Sequence, residues 1–97
     1  MSKSVVVLTS KSTVDPCGAP PRVPTKASST VYAGNQPVVR QGDNYLPHAC
    51  PNAPPHTAIA SAGSATVFVN NKPAHREDDA ISCGSTGDNG ITSVQIG

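Results

Sequence analysis

The chain has 97 residues, of which 36% are hydrophobic, and it contains one Phe, two Tyr and no Trp. A domain of this size buries only about 60% of the surface of its unfolded chain, so we expect a thin core stabilised further by a disulfide, a metal or a partner. The formal net charge of +1 excludes the strongly basic surface of a nucleic-acid-binding protein.

The first predicted element is a strand over residues 4–9, which are mainly Val, Thr and Ser. Its apolar part is too short for the apolar segment of a signal peptide, and no run in the chain approaches the ~18 residues that would span a bilayer. We therefore expect a protein made in the cytoplasm without a signal peptide. Residues 1–28 otherwise match no motif, and Cys17 within them has no predicted role.

The chain then contains one pattern twice, at residues 30–43 and 66–79, with a constant offset of 36 residues. Each copy contains Thr, Val, an aromatic residue, a Gly/Asn pair, Pro, Arg and Asp in the same order and without gaps. A shared register of this length predicts a repeat architecture. The copies differ at one chemically important position, where Val39 of the first is replaced by His75 in the second.

Each copy predicts a β-hairpin. Residues 29–33 and 65–69 are rich in β-branched and aromatic side chains, as strands are. The pairs at 34–35 and 70–71 consist of Gly and Asn, which tolerate the positive φ of a tight hairpin turn. In each copy a Pro follows and opens a return strand, where its missing N–H does least harm. The Arg and Asp spacing, which both copies share, predicts a structural turn closed by an ion pair.

The remaining segments complete an all-β prediction. Pro-rich connectors occupy residues 15–24 and 46–55, and a last strand covers 91–96. No window has the apolar periodicity of a helix longer than about two turns. We therefore predict one domain over 1–97, with repeats at 29–43 and 65–79 and a truncated third copy at 92–97.

A metal site is predicted from four residues in the second half of the chain: His48, His56, His75 and Cys83. They are separated by eight, nineteen and eight residues, which suits loops converging from different strands. Imidazole and thiolate are preferred zinc ligands, and four of them complete a closed structural site. An odd number of cysteines without a secretion signal argues against a disulfide framework.

Other interpretations of these residues remain open. A single His in a loop is more often solvent-exposed or hydrogen-bonded than a ligand, and a single Cys is often only a small buried side chain. Cys50 is an alternative ligand. A hydrolytic site could be assembled from Ser82, His75 and Asp79, or from Cys83 with a His base, but nothing in the sequence places them beside a cleft, so we do not expect an enzyme.

The second repeat resembles the motif of the PAAR-repeat family. Pro73-Ala74-His75-Arg76 is similar to its Pro-Ala-Ala-Arg sequence. Residues 64–73 resemble the run that precedes this sequence in the family. The run that follows it resembles Arg76 to Asp79 together with Cys83-Gly84. His48-Ala49-Cys50-Pro51 and Pro55-His56 also look like family loop motifs. The first copy departs from the motif, because it has two Val in place of the two Ala and Gly34-Asn35 in place of the usual Asn-Gly.

The resemblance implies a small cone or pyramid of short β-hairpins, with a zinc ion near its apex held by three His and one Cys. Carried over to this chain, these ligands are His48, His56, His75 and Cys83, with iron a less favoured metal. Whether Cys50 replaces one of them is left open.

The resemblance also implies a structural role rather than catalysis. Such proteins cap the end of a trimeric β-helical spike, one tip per trimer, in contractile phage tails or type VI secretion machines, and contact the target membrane transiently. No small-molecule substrate is expected. The alternative is a free-standing zinc-stapled binding module or a small metalloenzyme. We expect the base of the cone to meet the spike through apolar side chains: Val31, Val67, Phe68 and Val94.

Overall fold

The computed structural model describes residues 2–14, 20–48 and 56–97; for His48 and His56 it describes the backbone only. Cys17 and Cys50 lie outside these ranges. Within them the fold is all-β, as predicted, and contains no helix, so no helix there is long and apolar enough to cross a membrane. The strands are β1 (Lys3–Val5), β2 (Lys11–Ser12), β3 (Tyr32–Ala33), β4 (Gln36–Pro37), β5 (Asn44–His48), β6 (His56–Ile59), β7 (Phe68–Val69), β8 (Lys72–Pro73), β9 (Gly87–Asp88) and β10 (Ile91–Ile96).

The strands form five antiparallel pairs: β1 with β10, β2 with β9, β3 with β4, β5 with β6, and β7 with β8. The β3–β4 and β7–β8 pairs are the two predicted hairpins, although each strand is shorter than the sequence suggested. Gly34 and Asn35 have φ of 55° and 63°, and Asn70 and Asn71 have φ of 53° and 66°. Both central residues are left-handed in each turn, as a two-residue hairpin loop of the primed type requires. The reversed Gly34-Asn35 order therefore leaves the turn unchanged.

A serine fixes the start of each hairpin. The Ser28 hydroxyl accepts the N–H groups of Thr30 and Val31 at 3.1 and 2.9 Å. Ser64, 36 residues later, accepts the N–H groups of the two equivalent residues at 3.0 and 2.8 Å. A hydroxyl that accepts N–H groups two and three residues ahead orders a turn locally, so both repeats enter their first strand in the same way.

The Arg and Asp of each repeat form the predicted ion pair. Nε of Arg40 lies 2.9 Å from Oδ2 of Asp43, and Nη2 lies 3.0 Å from Oδ1. In the second copy the matching Arg76 to Asp79 distances are both 2.8 Å. Each carboxylate also accepts the backbone N–H of its own Arg. Two parallel charge-assisted hydrogen bonds plus a backbone bond hold the turn rigidly.

A third side of the fold is assembled from both ends of the chain. The 92–97 segment does resemble the start of a repeat, and its return strand is supplied by β1. The pairs Gln95 with Ser4 and Ile96 with Lys3 reproduce the pairs of β7 with β8. The sequence pattern does not reveal this completion, because the two halves of the third copy are at opposite ends of the chain.

The three sides meet around a closed ring of backbone hydrogen bonds. Val6 donates to the carbonyl of His75, His75 to that of Val39, and Val39 to that of Val6, at 2.9, 3.0 and 3.0 Å. A second set of bonds links the same three segments, with donors two residues after the ring residues and acceptors two residues before them. The donors there are Leu8, Gln41 and Glu77, and the acceptors are Pro37, Pro73 and Ser4. One asymmetric chain thus acquires a pseudo-three-fold axis.

Two apolar clusters lie along this ring, since neighbouring residues of an extended segment point in opposite directions. We call them the base cluster and the second cluster. The base cluster contains Val5, Val7, Ala33, Val38, Val69 and Ala74. The second cluster contains Val6, Val39, Tyr45, Ala58, Ala60 and Ile81, with Cys83 packed against it.

The β5–β6 pair was not predicted. Residues 46–55 were interpreted as a connector, whereas β5 extends to residue 48 and β6 begins at residue 56. Pro47 removes an N–H from β5, and β5 contains no β-branched residue, so only Thr57 and Ile59 of β6 indicate a strand. The strands form because Tyr45 and Ala58, which are cross-strand partners, both bury their side chains in the second cluster.

Candidate metal centre and spike-binding face

His75 is the most distinctive side chain of the second repeat, because it is fully buried. Its Nδ1 lies 2.8 Å from the carbonyl oxygen of Ala62. A carbonyl only accepts, so Nδ1 carries the hydrogen and Nε2 carries a lone pair. Among the described residues, Nε2 has no hydrogen-bond partner. A buried lone pair without a partner, with the other ring nitrogen anchored on a backbone carbonyl, is the arrangement of a metal-binding imidazole.

Two further features fit His75 to a metal. Burial lowers the pKa of His75 and outweighs the opposing effect of the Ala62 carbonyl, so the imidazole is neutral and able to bind a cation. Space is also kept beside Nε2: a Cβ atom on Gly87 would lie 3.0 Å from it and 2.9 Å from Cγ2 of Val6. A glycine at this position of β9 therefore leaves the ring edge free.

Cys83 lies at the edge of the second cluster and is partly exposed. Its Sγ is 3.0 Å from the Ser85 hydroxyl. It lines a small pocket together with Tyr45, whose ring packs edge-on against that of His75 with centroids 5.9 Å apart. Cys83 and His75, two of the four predicted ligands, therefore border the same aromatic side chain.

The other two predicted ligands are direct partners across a strand pair. His48 ends β5, His56 begins β6, and their Cα positions are paired. No group of three His, Cys, Asp or Glu residues suited to a metal occurs among the side chains that the structure describes, a set that omits those of His48 and His56. The quartet of His48, His56, His75 and Cys83 stays a prediction, with His75 fitting the role best.

The alternative hydrolytic arrangement is not assembled. Its three members are all described, and each is hydrogen-bonded to a different partner. Ser82 accepts the N–H of Ile59 at 2.9 Å, Asp79 is held by its own Arg, and His75 is anchored on a backbone carbonyl. The neighbouring Glu77 carboxylate accepts the N–H of Gly90 at 2.6 Å.

On the opposite side of the ring, the base cluster opens into an apolar depression of about 180 Å³. Its lining consists of three sets of three equivalent residues, one from each side of the fold, plus Tyr32. The sets are Val31, Val67 and Val94; Ala33, Val69 and Ile96; and Val5, Val38 and Ala74. The depression therefore lies on the pseudo-three-fold axis, and we call the surface around it the base face.

The base face includes the four residues predicted to contact a partner. Val31, Val67 and Val94 line the depression. Phe68, which is 58% exposed, precedes Val69 of the lining, and Tyr32 is equally exposed at the equivalent position of the first copy. The third equivalent position is the polar Gln95. Val5 and Ile96 were not predicted as members, although Val94 and Ile96 alternate with polar residues in β10.

Comparison with known proteins supports a single family. A protein-family model described as PAAR motif matches residues 20–86, which is more than half of the chain. The match covers both repeats, the β5–β6 pair and Cys83. No curated protein matches the chain.

Proposed function

The chain belongs to the PAAR-motif family, and on that premise we propose that it caps the end of a trimeric β-helical spike and sharpens it for piercing a target envelope. The family is one of spike-tip proteins of contractile injection systems and is structural rather than catalytic. The spike would belong to a phage tail baseplate or a type VI secretion machine. The tip would be made in the cytoplasm and contact the target membrane only transiently.

The observation that carries this proposal is the three-fold lining of the base face. A trimeric β-helix ends in three identical chain segments around one axis, so a cap made of one chain must present three similar contact surfaces. This chain does so with two complete repeats and a third built from its termini. The three-fold axis of the depression can then coincide with that of the spike.

The chemistry of the base face also suits this partner. The end of a β-helix exposes an apolar cross-section and unpaired strand edges, which attract other chains unless they are covered. The base face offers a concave apolar surface with Tyr32 and Phe68 projecting beside it. Exposed aromatic side chains near the centre of a contact surface are typical anchors of protein interfaces.

The second cluster supports the mechanical part of the proposal. His75 and Cys83 with His48 and His56 would hold a zinc ion, which ties the β5–β6 pair to the second repeat. Structural zinc sites contribute on the order of 10 kcal/mol to folding. The side of the molecule that contains the second cluster has few large apolar residues. The zinc link would make this side more rigid when the tip is pressed against an envelope.

The capping proposal is tested by mixing the purified protein with a trimeric β-helical spike protein and measuring the mass of the complex. One tip per trimer is expected, because the end of one spike trimer would cover the whole base face. A complex of three tips with three spike chains would contradict the proposal.

Two matched variants localise the contact. Val31 on the base face and Val23 outside it are exposed to similar extents, 37% and 40%. Val31→Asp is expected to abolish the complex, because it places a charge beside the apolar depression, and Val23→Asp is expected to leave it intact. If wild-type protein binds zinc but joins no spike trimer, it is instead a free-standing zinc-stapled module.

A further inference from the structure

Tyr45 is the largest fully buried side chain of the described residues, 1% exposed, yet its hydroxyl has no hydrogen-bond partner among them. Buried tyrosine hydroxyls usually find a partner, because leaving one unpaired costs free energy. A Phe would fill the same space without this cost. The hydroxyl therefore calls for an explanation other than packing.

A second unpaired donor borders the same pocket. Nε of Arg22 is buried and has no hydrogen-bond partner within the described residues, and Arg22 lines the pocket with Tyr45 and Cys83. Guanidinium N–H groups only donate, and the tyrosine hydroxyl is a donor as well as an acceptor. Two unpaired donors converge on a pocket whose one ionisable acceptor, among the described lining residues, is the sulfur of Cys83.

The position of Tyr45 in the fold connects it to all the predicted ligands. It lies in β5 three residues before His48, and its cross-strand partner Ala58 lies two residues after His56 in β6. Its ring contacts His75 edge-on, with an interplanar angle of 76°. Burial, and secondarily the charge of Cys83, raise the pKa of Tyr45 well above its ordinary value, so the hydroxyl keeps its hydrogen.

We propose that Tyr45 and Arg22 are positioning residues for the metal centre, which donate hydrogen bonds from Oη and Nε to the Cys83 thiolate when a metal is bound. This inference rests on the zinc site of the proposed function. It would give both unpaired donors an acceptor, because Cys83, whose Sγ lies 3.0 Å from the Ser85 hydroxyl, lines the same pocket. A metal-bound cysteine is a thiolate, and a charged acceptor forms stronger hydrogen bonds than a neutral one.

The test compares Tyr45→Phe with Tyr32→Phe, which removes the same hydroxyl from the exposed base face. Zinc affinity is measured by competition with a chromophoric chelator, and thermal unfolding is measured with and without metal. Tyr45→Phe is expected to weaken zinc binding about 10- to 100-fold, as the loss of outer-shell partners does, while the metal-free protein keeps or gains stability. Tyr32→Phe is expected to change neither property.

Replacing zinc with cobalt gives an absorption spectrum that depends on the thiolate ligand, and a change in packing alone would not shift it. Hydrogen bonds to the thiolate lower the energy of its electrons, so their loss is expected to shift the thiolate-to-cobalt charge-transfer absorption of Tyr45→Phe to longer wavelength. Arg22→Gln is expected to shift it in the same direction and to weaken zinc binding as well.

The inference is overturned if Tyr45→Phe and Arg22→Gln bind zinc as tightly as wild type with an unshifted cobalt spectrum. Loss of stability in metal-free Tyr45→Phe, or an equal effect of Tyr32→Phe, would also overturn it. If the wild-type protein binds no zinc, both this inference and the zinc site fail. Capping is assayed separately by complex mass, so its outcome does not depend on Tyr45.

Discussion

The base face and the second cluster lie on opposite sides of one ring of hydrogen bonds and follow opposite rules. On the base face, all lining residues except Tyr32 form three sets of three equivalent aliphatic residues. At the ring itself the equivalent residues are Val6, Val39 and His75. Beyond it Tyr45 and Cys83 correspond to Ile81 and Pro47 at the same 36-residue offset, so neither side chain is repeated. Symmetry is kept where the proposed three-fold partner would dock and is lost where the proposed metal site would lie.

The largest effect is expected from the position at which this symmetry is broken. His75→Ala should remove bound zinc and most of the thermal stability, since structural zinc contributes on the order of 10 kcal/mol. Val39→Ala, at the equivalent ring position, should cost about 2 kcal/mol as an ordinary core truncation. Metal content and thermal unfolding measure both variants.

His75→Val, which restores the symmetry, completes this comparison. It removes the unpaired Nε2, so in a chelator it should be at least as stable as wild type although it binds no metal. If the wild-type protein binds no zinc and is fully stable in the chelator, the second cluster needs no metal. The proposed contrast between the base face and the second cluster would then be wrong.

A smaller and symmetric loss is expected for the ion pairs, which both repeats possess. Arg40 and Arg76 should each cost about 3–5 kcal/mol when changed to Ala, because the mostly buried carboxylate partner is left uncompensated. Urea unfolding checks the values. A large loss of unfolding free energy for only one of the two variants would mean that the two ion pairs do not stabilise the fold equally.

Acid should weaken the second repeat through Asp79. Burial opposes ionisation of this carboxyl, but hydrogen bonds from the Arg76 side chain and N–H outweigh burial and hold the pKa of Asp79 below its usual value. The folded state therefore binds the proton less readily than the unfolded chain. The stabilisation is complete above about pH 4, the unfolded value, and is lost as pH falls further. Asp79→Asn should flatten this part of a stability-against-pH curve.

The smallest effect on stability is expected at the base face, where the three sides differ in one exposed residue. Phe68→Ala should weaken spike binding by about 2 kcal/mol, as an aromatic anchor does, and Gln95→Ala by less than about 1 kcal/mol. Unfolding temperatures should hardly change. Titration calorimetry against a spike trimer measures the difference, and equal losses would show that Gln95 acts as a third anchor.

Much of the repeat structure could be predicted because it is local. The turns at 34–35 and 70–71 follow from Gly and Asn, and the Arg and Asp ion pairs connect residues three apart. Val31, Val67 and Val94 were predicted at the base and do line the depression, and their contact with a spike stays a prediction. The β5–β6 pair was missed because its stability comes from Tyr45 and Ala58 in a distant core, which no local pattern reveals.

Residue type and short-range spacing were enough to predict the all-β class and the two hairpins, and they also give the four candidate ligands, which stay a prediction. The pairing of the two chain ends, which completes the third side, is visible only in the folded structure. The two strands are separated by almost the whole chain, so no repeating sequence pattern connects them. The tertiary structure also decided the protonated nitrogen of His75 and the unpaired donors at Tyr45 and Arg22. Both features depend on which polar groups are buried away from water, and burial is a property of the folded chain.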